Sequence, residues 1–270
     1  MTMTPGGLLM LHRPVAPVAY VDHCGLMTFA EGGELGRRLM TALHARNGTL
    51  AVSWLNFAEY ATVTDVAQRL AVERFLDGLL PAIFCIDVDL AVIDRERDGR
   101  PFPHADQALS HLFLNDREAT VRPVTAAKLF EPLNCERLIR GKERLTGKVQ
   151  PRLEDLRAQY AARADFRNEV ANADSTPETL APSRTLAICR TLAATYLPDL
   201  RRPITANDVT DFLHAVIPVA YCDAVLLDSG TWDRVERARR KLSPVGIEIA
   251  KAFPMRKGGI ERFLTYLEGT

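Results

Sequence analysis

Six acidic residues stand where a folded chain could bring them together: Asp22, Glu59, Asp208, Asp211, Asp223 and Asp228. Each lies beside a short apolar run or near the start of a helical pattern. Asp22 closes the run VAYV. Glu59 falls early in the helical pattern after TLAVSW. Asp208 and Asp211 fall in the first turns of a helix opening at Thr205. Asp223 and Asp228 bracket the run AVLL. Carboxylates gathered in one pocket repel, and some take up protons unless a cation joins them. A ligand set made only of oxygens favours Mg²⁺ or Mn²⁺ over Zn²⁺. The chemistry to look for is therefore that of a divalent metal centre, with all six acids as candidate ligands.

The elements that must position these acids are best seen in residues 205–228, TANDVTDFLHAVIPVAYCDAVLLD. Thr205 is a candidate N-cap with Asp208 three residues on, a box-like pattern. Pro218 predicts a helix end or kink near Ile217. The run at 224–227 suits a strand buried on both faces. Similar strands are expected at 18–21, 49–54 and 82–86, with a last one inside 245–253. Helices are expected at 31–46, from about 56, at 65–80, at 87–97, at 231–242 and at 259–267. Such alternation predicts a mainly parallel sheet with helices on both faces. In such a sheet a strand end and the start of a returning helix share the carboxyl edge, where ligands bind.

The pattern changes between 99 and 203, where no strand is expected. Short helices are expected at 105–114 and 125–133, and long basic ones at 135–172, broken at Pro151. A loop spans 173–182, and Ser183 caps a further helix at 186–196. This reads as a helical insertion or cap at 99–203, dividing an α/β domain formed by 17–98 and 204–270. Residues 1–16 read as an irregular lead-in.

Composition narrows the classes. Thirty-four Lys and Arg balance 34 Asp and Glu, so no global field draws the protein to nucleic acid or to a membrane. The five cysteines are odd in number and scattered, which fits a reducing cytoplasm rather than a disulfide framework. No signal peptide or membrane-spanning run is expected.

Strand-ending Asp22, the segment Ser53–Glu59 (SWLNFAE), Asp211 within a helix and strand-ending Asp228, in that order, resemble the PIN-domain family of metal-dependent nucleases. The segment FCIDVDLAVIDRERD also resembles the stretch after the third strand in that family. The resemblance covers about residues 17–97 and 204–250. It implies an α/β fold, a three-layer α/β/α sandwich, with Asp22, Glu59, Asp211 and Asp228 at four acidic positions holding Mg²⁺ or Mn²⁺. It implies cleavage of RNA or other single-stranded nucleic acid. An inhibitory protein partner and self-association are partner expectations that go with it. The sequence departs from the pattern at His23-Cys24 and at Leu226, where the family carries hydroxyl or amide side chains. Those departures support an alternative, a PIN-like binding or scaffold protein without activity.

Other readings attach to single residues. Glu59 could close a capping box begun at Asn56, and Asp208 could be a cap alone. Asp223 could replace or supplement Asp228. His214, three residues after Asp211, is a candidate substrate contact. His23, Cys24, His214 and Cys222 are the residues a zinc site would use. EGGELG at 31–36 reads as a turn, lacking the Lys-Ser/Thr of a phosphate loop. Asp87-Val-Asp89 after an apolar strand resembles the motif of haloacid-dehalogenase-like phosphatases, with Asp223 and Asp228 imitating that family's second acidic pair; otherwise the two acids simply start a helix. Residues 117–167 hold 12 Lys and Arg against 7 Asp and Glu, a basic surplus that suits either a solvated helical face or phosphate contacts.

Overall fold

A computed structural model of the 270-residue chain describes residues 2–4, 7–9, 14–79, 82–97, 132–171 and 183–269. The helices expected at 105–114 and 125–133 lie outside the described residues, apart from the last two positions. Near the start, β1 (Thr2–Thr4) and β2 (Gly7–Leu9) form a separate antiparallel pair.

The apolar runs then build one five-stranded sheet, all of it parallel: β3 (Val18–Val21), β4 (Thr49–Val52), β5 (Ile83–Cys85), β6 (Ala224–Leu227) and β7 (Lys251–Pro254), in spatial order β5-β4-β3-β6-β7. Tyr20 pairs with Ala51 on one side and Val225 on the other. Side chains alternate between two cores, as the period-2 pleat requires. Tyr20, Ala51, Phe84, Val225 and Leu227 enter one core; Ala19, Val21, Leu50, Val52 and Leu226 enter the other. Burial on both faces explains why these strands read as continuous apolar runs rather than alternating ones.

Helices cover both faces. On the Leu226 side lie α1 (His23–Glu31), α2 (Glu34–Ala45), α4 (Val66–Leu79) and the closing helix α11 (Lys257–Glu268). Between them in sequence, α3 (Trp54–Tyr60) sends Leu55 into one core and Phe57 into the other. The short α5 (Ala91–Arg97) comes after β5. On the Tyr20 side lie α8 (Arg184–Ala194), α9 (Ala206–Tyr221) and α10 (Ser229–Leu242). All residues of α9 from Val209 to Ala220 except Asp211 are buried. A helix buried on nearly every side is mostly apolar, and here Thr210 and His214 are the buried polar residues of that stretch.

The described part of the insertion is helical in α6 (Pro132–Ala162), α7 (Ala164–Ala171) and α8, and irregular over 195–203. Along α6, Cys135 and Leu138 join one core while Val149 and Leu153 join the other, so the helix crosses from face to face, packing on α3 and α9.

Several local expectations are corrected. The segment after Asp22 is a helix, α1, where none is expected from the sequence pattern. Pro151 does not break α6; Gly147, whose carbonyl loses its partner there, lies in open space where water can reach it. Pro218 does not end α9, which continues to Tyr221 at the cost of one backbone bond in its last turn. α5 starts at Ala91 rather than 87, because Asp87 and Asp89 each accept the amide two residues on and form a turn. Among the described residues no helix is long and apolar enough to cross a membrane.

Candidate functional site

Three strands of the sheet end directly in a residue that caps the next helix. Asp22 comes after β3 and caps α1, its Oδ1 accepting the Gly25 amide at 2.7 Å. Ser53 comes after β4 and caps α3 in a box closed by Asn56. Asp228 comes after β6 and caps α10, its Oδ1 accepting the amides of Gly230 at 2.8 Å and Thr231 at 3.2 Å. α9 also begins at this edge, capped by Thr205. Four helix N-termini thus meet at the carboxyl edge, and their partial positive charge favours anions there. The strand order reverses between β3 and β6, the position where open parallel sheets bind ligands. Asp22 Oδ2 accepts the Asp228 amide at 2.7 Å and ties those two strand ends together. The fit around Gly25 is tight: a Cβ there would lie 3.2 Å from Val21 Cβ and 3.3 Å from Asp22 Oδ1.

The four principal acids lie together at this edge. Asp22 is only 7% exposed, and burial pushes its carboxyl up to about 6; the Gly25 amide and His214 pull against that shift, and the charge of Asp228 adds to it. Asp211 projects from the second turn of α9, half-buried and with no hydrogen-bond partner among the described residues. Burial, and then the charge of Asp228, push it up to about 7; Glu59 and Asp22 add to the shift and His214 opposes it.

Glu59, near the end of α3, is held differently. Its Oε2 lies 2.9 Å from His214 Nε2, and its Oε1 accepts from Lys142 Nζ of α6 at 3.2 Å. Burial alone would raise its carboxyl; the His214 hydrogen bond and the charges of His214 and Lys142 outweigh it and bring the group down to about 2. Behind Glu59 runs a buried chain: His214 Nδ1 bonds the Tyr20 hydroxyl, which meets Ser53 Oγ at 3.2 Å. Burial works against a charged His214, but Glu59 raises it above the ordinary histidine range. His23, first residue of α1, packs edge-on to Tyr60 at 4.6 Å, and its buried Nδ1 has no hydrogen-bond partner among the described residues.

The remaining candidates are corrected. Asp223 lies before β6, at the opposite edge of the sheet, where its Oδ2 accepts the Val18 amide at 2.7 Å. It neither replaces nor supplements Asp228, because the length of β6 separates them. Asp208 is the capping-box partner of Thr205 and is bound by Arg202 at 2.7 and 2.8 Å. Burial would raise Asp208; the Arg202 and Thr205 hydrogen bonds hold it well below the usual carboxylate range. His214 is 3% exposed and enclosed by Tyr20 and Glu59, so it presents no face to a substrate. Glu59 is not a capping-box residue, since Ser53 and Asn56 form the box. Cys222 lies at the far end of α9 from His214's half of the site, so the zinc quartet does not assemble. The phosphatase pairing fails likewise, with Asp223 and Asp228 at opposite ends of β6.

Sequence reasoning missed Lys142, Tyr20 and Ser53. A tyrosine inside a buried strand is itself a signal, because its hydroxyl needs a partner there. Lys142 gives no such signal; only the tertiary course of α6 brings it to Glu59. Among the described residues no three His, Cys, Asp or Glu side chains stand in a ready-made ligand arrangement. Two features account for this: Glu59 is drawn onto His214 and Lys142, and each oxygen of Asp22 already takes a backbone amide. No family model, curated protein or solved structure matches the chain.

Proposed function

We propose that the protein is a PIN-like, metal-dependent phosphodiesterase acting on single-stranded RNA or related nucleic acid. The observation that carries this reading is Asp211. Capping explains Asp22 and Asp228, and ion pairing explains Glu59. Nothing among the described residues explains a half-buried carboxylate placed against three others with no hydrogen bond of its own. Such a group is relieved by a proton or, above about pH 7 where the proton leaves, by a cation. The donors fit Mg²⁺ or Mn²⁺ in kind, being hard carboxylate oxygens gathered at one sheet edge.

In this reading Asp22, Asp211 and Asp228 hold the ion and Glu59 joins them. When bound, the metal supplies an activated water and neutralises charge developing on the phosphate. The protein's part is positional. The Asp22–Asp228 amide bond fixes the spacing of two strand ends. His214, anchored by Tyr20, fixes the side chain of Glu59.

A second reading is a PIN-like binding module without activity. It is favoured by Glu59 already being paired with two cationic partners, and by His23, Cys24 and Leu226. One paired experiment separates the two: thermal melts with and without Mn²⁺, and cleavage of a single-stranded RNA, for wild type and Asp211→Asn. The nuclease reading expects Mn²⁺ to raise the wild-type melting temperature and the variant to lose both that response and cleavage. A wild type that neither responds to Mn²⁺ nor cuts RNA supports the binding module.

A further inference from the structure

Lys142 is the one cationic side chain of the insertion that pairs with one of the four clustered acids, Asp22, Glu59, Asp211 and Asp228, among the described residues. Its Nζ stands 3.2 Å from Glu59 Oε1, and both side chains are about four-fifths shielded from water, at 22% and 21% exposure. The contact is built rather than incidental. α6 packs along α3, with Gly141 against the Trp54 ring. Thr146, one turn on, is buried and returns its hydroxyl to the carbonyls of Lys142 and Glu143. The stem of Lys142 therefore emerges from a fixed stretch of helix. Glu59, reached from the other side by His214, has both carboxylate oxygens engaged.

We propose that Lys142 is an active-site residue with two successive partners: Glu59 before metal entry, and a phosphate oxygen of the nucleic acid after it. A lysine ammonium is a compact, mobile point charge on a flexible stem, suited to changing partners and to binding phosphate. If Glu59 joins Asp22, Asp211 and Asp228 around a divalent ion through Oε1, Lys142 gives up that oxygen. That leaves a positive charge beside the metal, where the scissile phosphate brings negative charge. The insertion helix thereby competes with the metal in the resting protein and serves the substrate in the loaded one. This inference rests on the metal-dependent reading above.

The two roles predict effects of opposite sign for Lys142→Met, which keeps the length of the side chain and removes its charge. Isothermal titration with Mn²⁺ is expected to show tighter binding, by about tenfold, because a charge-assisted hydrogen bond no longer opposes the ion. Cleavage of single-stranded RNA at saturating Mn²⁺ is expected to weaken, with KM raised by about tenfold. Lys142→Arg restores the KM while keeping a competing cation on Glu59. Thermal melts verify that each variant is folded. Unchanged Mn²⁺ affinity in Lys142→Met overturns the proposal and leaves the nuclease reading intact. A joint fall in metal affinity and cleavage overturns it too, since that is the behaviour of a structural strut. If the folded wild type and Lys142→Met both fail to bind Mn²⁺, the metal reading itself fails and this inference with it.

Discussion

Asp22 and Asp223 do the same local job at opposite ends of β3 and β6. Each carboxylate accepts a backbone amide from the neighbouring strand at 2.7 Å, Asp22 from Asp228 and Asp223 from Val18. Each lies just outside its strand. Their surroundings have nothing in common. Asp22 is buried, with Asp228 and His214 near enough to shift its charge and with Glu59 and Asp211 in the same cluster. Asp223 is exposed beside a cleft that also holds Arg184, Arg239, Lys251 and Arg262. A strand-boundary aspartate is thus a structural clamp by default. What makes one of the pair a candidate for chemistry is the charge gathered around it, which depends on helices distant in sequence.

The sharpest break of this comparison is activity. Asp22→Asn is expected to lower Mn²⁺-dependent RNA cleavage by about two to three orders of magnitude. Asp223→Asn is expected to stay within about twofold of wild type, since a cross-sheet clamp touches no reacting group. Matched losses in the two variants would erase the distinction.

The pH dependence of stability comes next. Asp22 and Asp211 have folded values of about 6 and about 7, against about 4 for an unfolded aspartate. Between those values the folded state keeps protons that the unfolded state has released, so metal-free stability falls as pH rises. His214, raised in the fold, adds to the decline, because its contribution is lost as pH passes its folded value. Glu59 and Asp208 are lowered in the fold and act at more acid pH, where their contribution is lost as pH falls. Denaturant melts without metal should therefore lose on the order of 2–3 kcal/mol between about pH 4.5 and 7.5 from Asp22 alone. Saturating Mn²⁺ should remove or reverse that slope, because the metal favours the ionised forms. A metal-free stability that rises over the interval would mean that the acids do not share a pocket.

Smaller effects belong to the clamps. Asp223→Ala leaves the Val18 amide without its acceptor and is expected to cost about 1 kcal/mol in urea melts. Asp208→Asn removes a charge held by Arg202 at the start of α9 while keeping a capping side chain. The Arg202 guanidinium is half exposed, so the cost should be a few tenths of a kcal/mol. RNA cleavage by both variants should be unchanged; loss in Asp208→Asn would move the site one turn toward the start of α9.

Much of this arrangement is legible in the sequence. Strands buried on both faces read as unbroken apolar runs, and their alternation with helical patterns specifies a parallel sheet, which in turn assigns Asp22, Glu59, Asp211 and Asp228 to one edge. Proline misleads at 151 and 218, because a single lost backbone bond is tolerable in an exposed turn or at a helix end. Asp223 groups with the site in sequence because the same signal, an acid beside a strand, occurs at both ends of β6. Lys142, His214 and Tyr20 meet only through packing: 194 positions separate Tyr20 from its histidine and 83 separate Glu59 from its lysine, and no local spacing encodes either.

The most direct test is crystallographic: crystals soaked in Mn²⁺ at about pH 7.5, with anomalous differences recorded above the manganese edge. A peak within about 2.0–2.5 Å of carboxylate oxygens of Asp22, Asp211 and Asp228 is the expected result. With it, Glu59 should have left Lys142. No peak at the carboxyl edge, with Glu59 still paired to Lys142, would contradict the account.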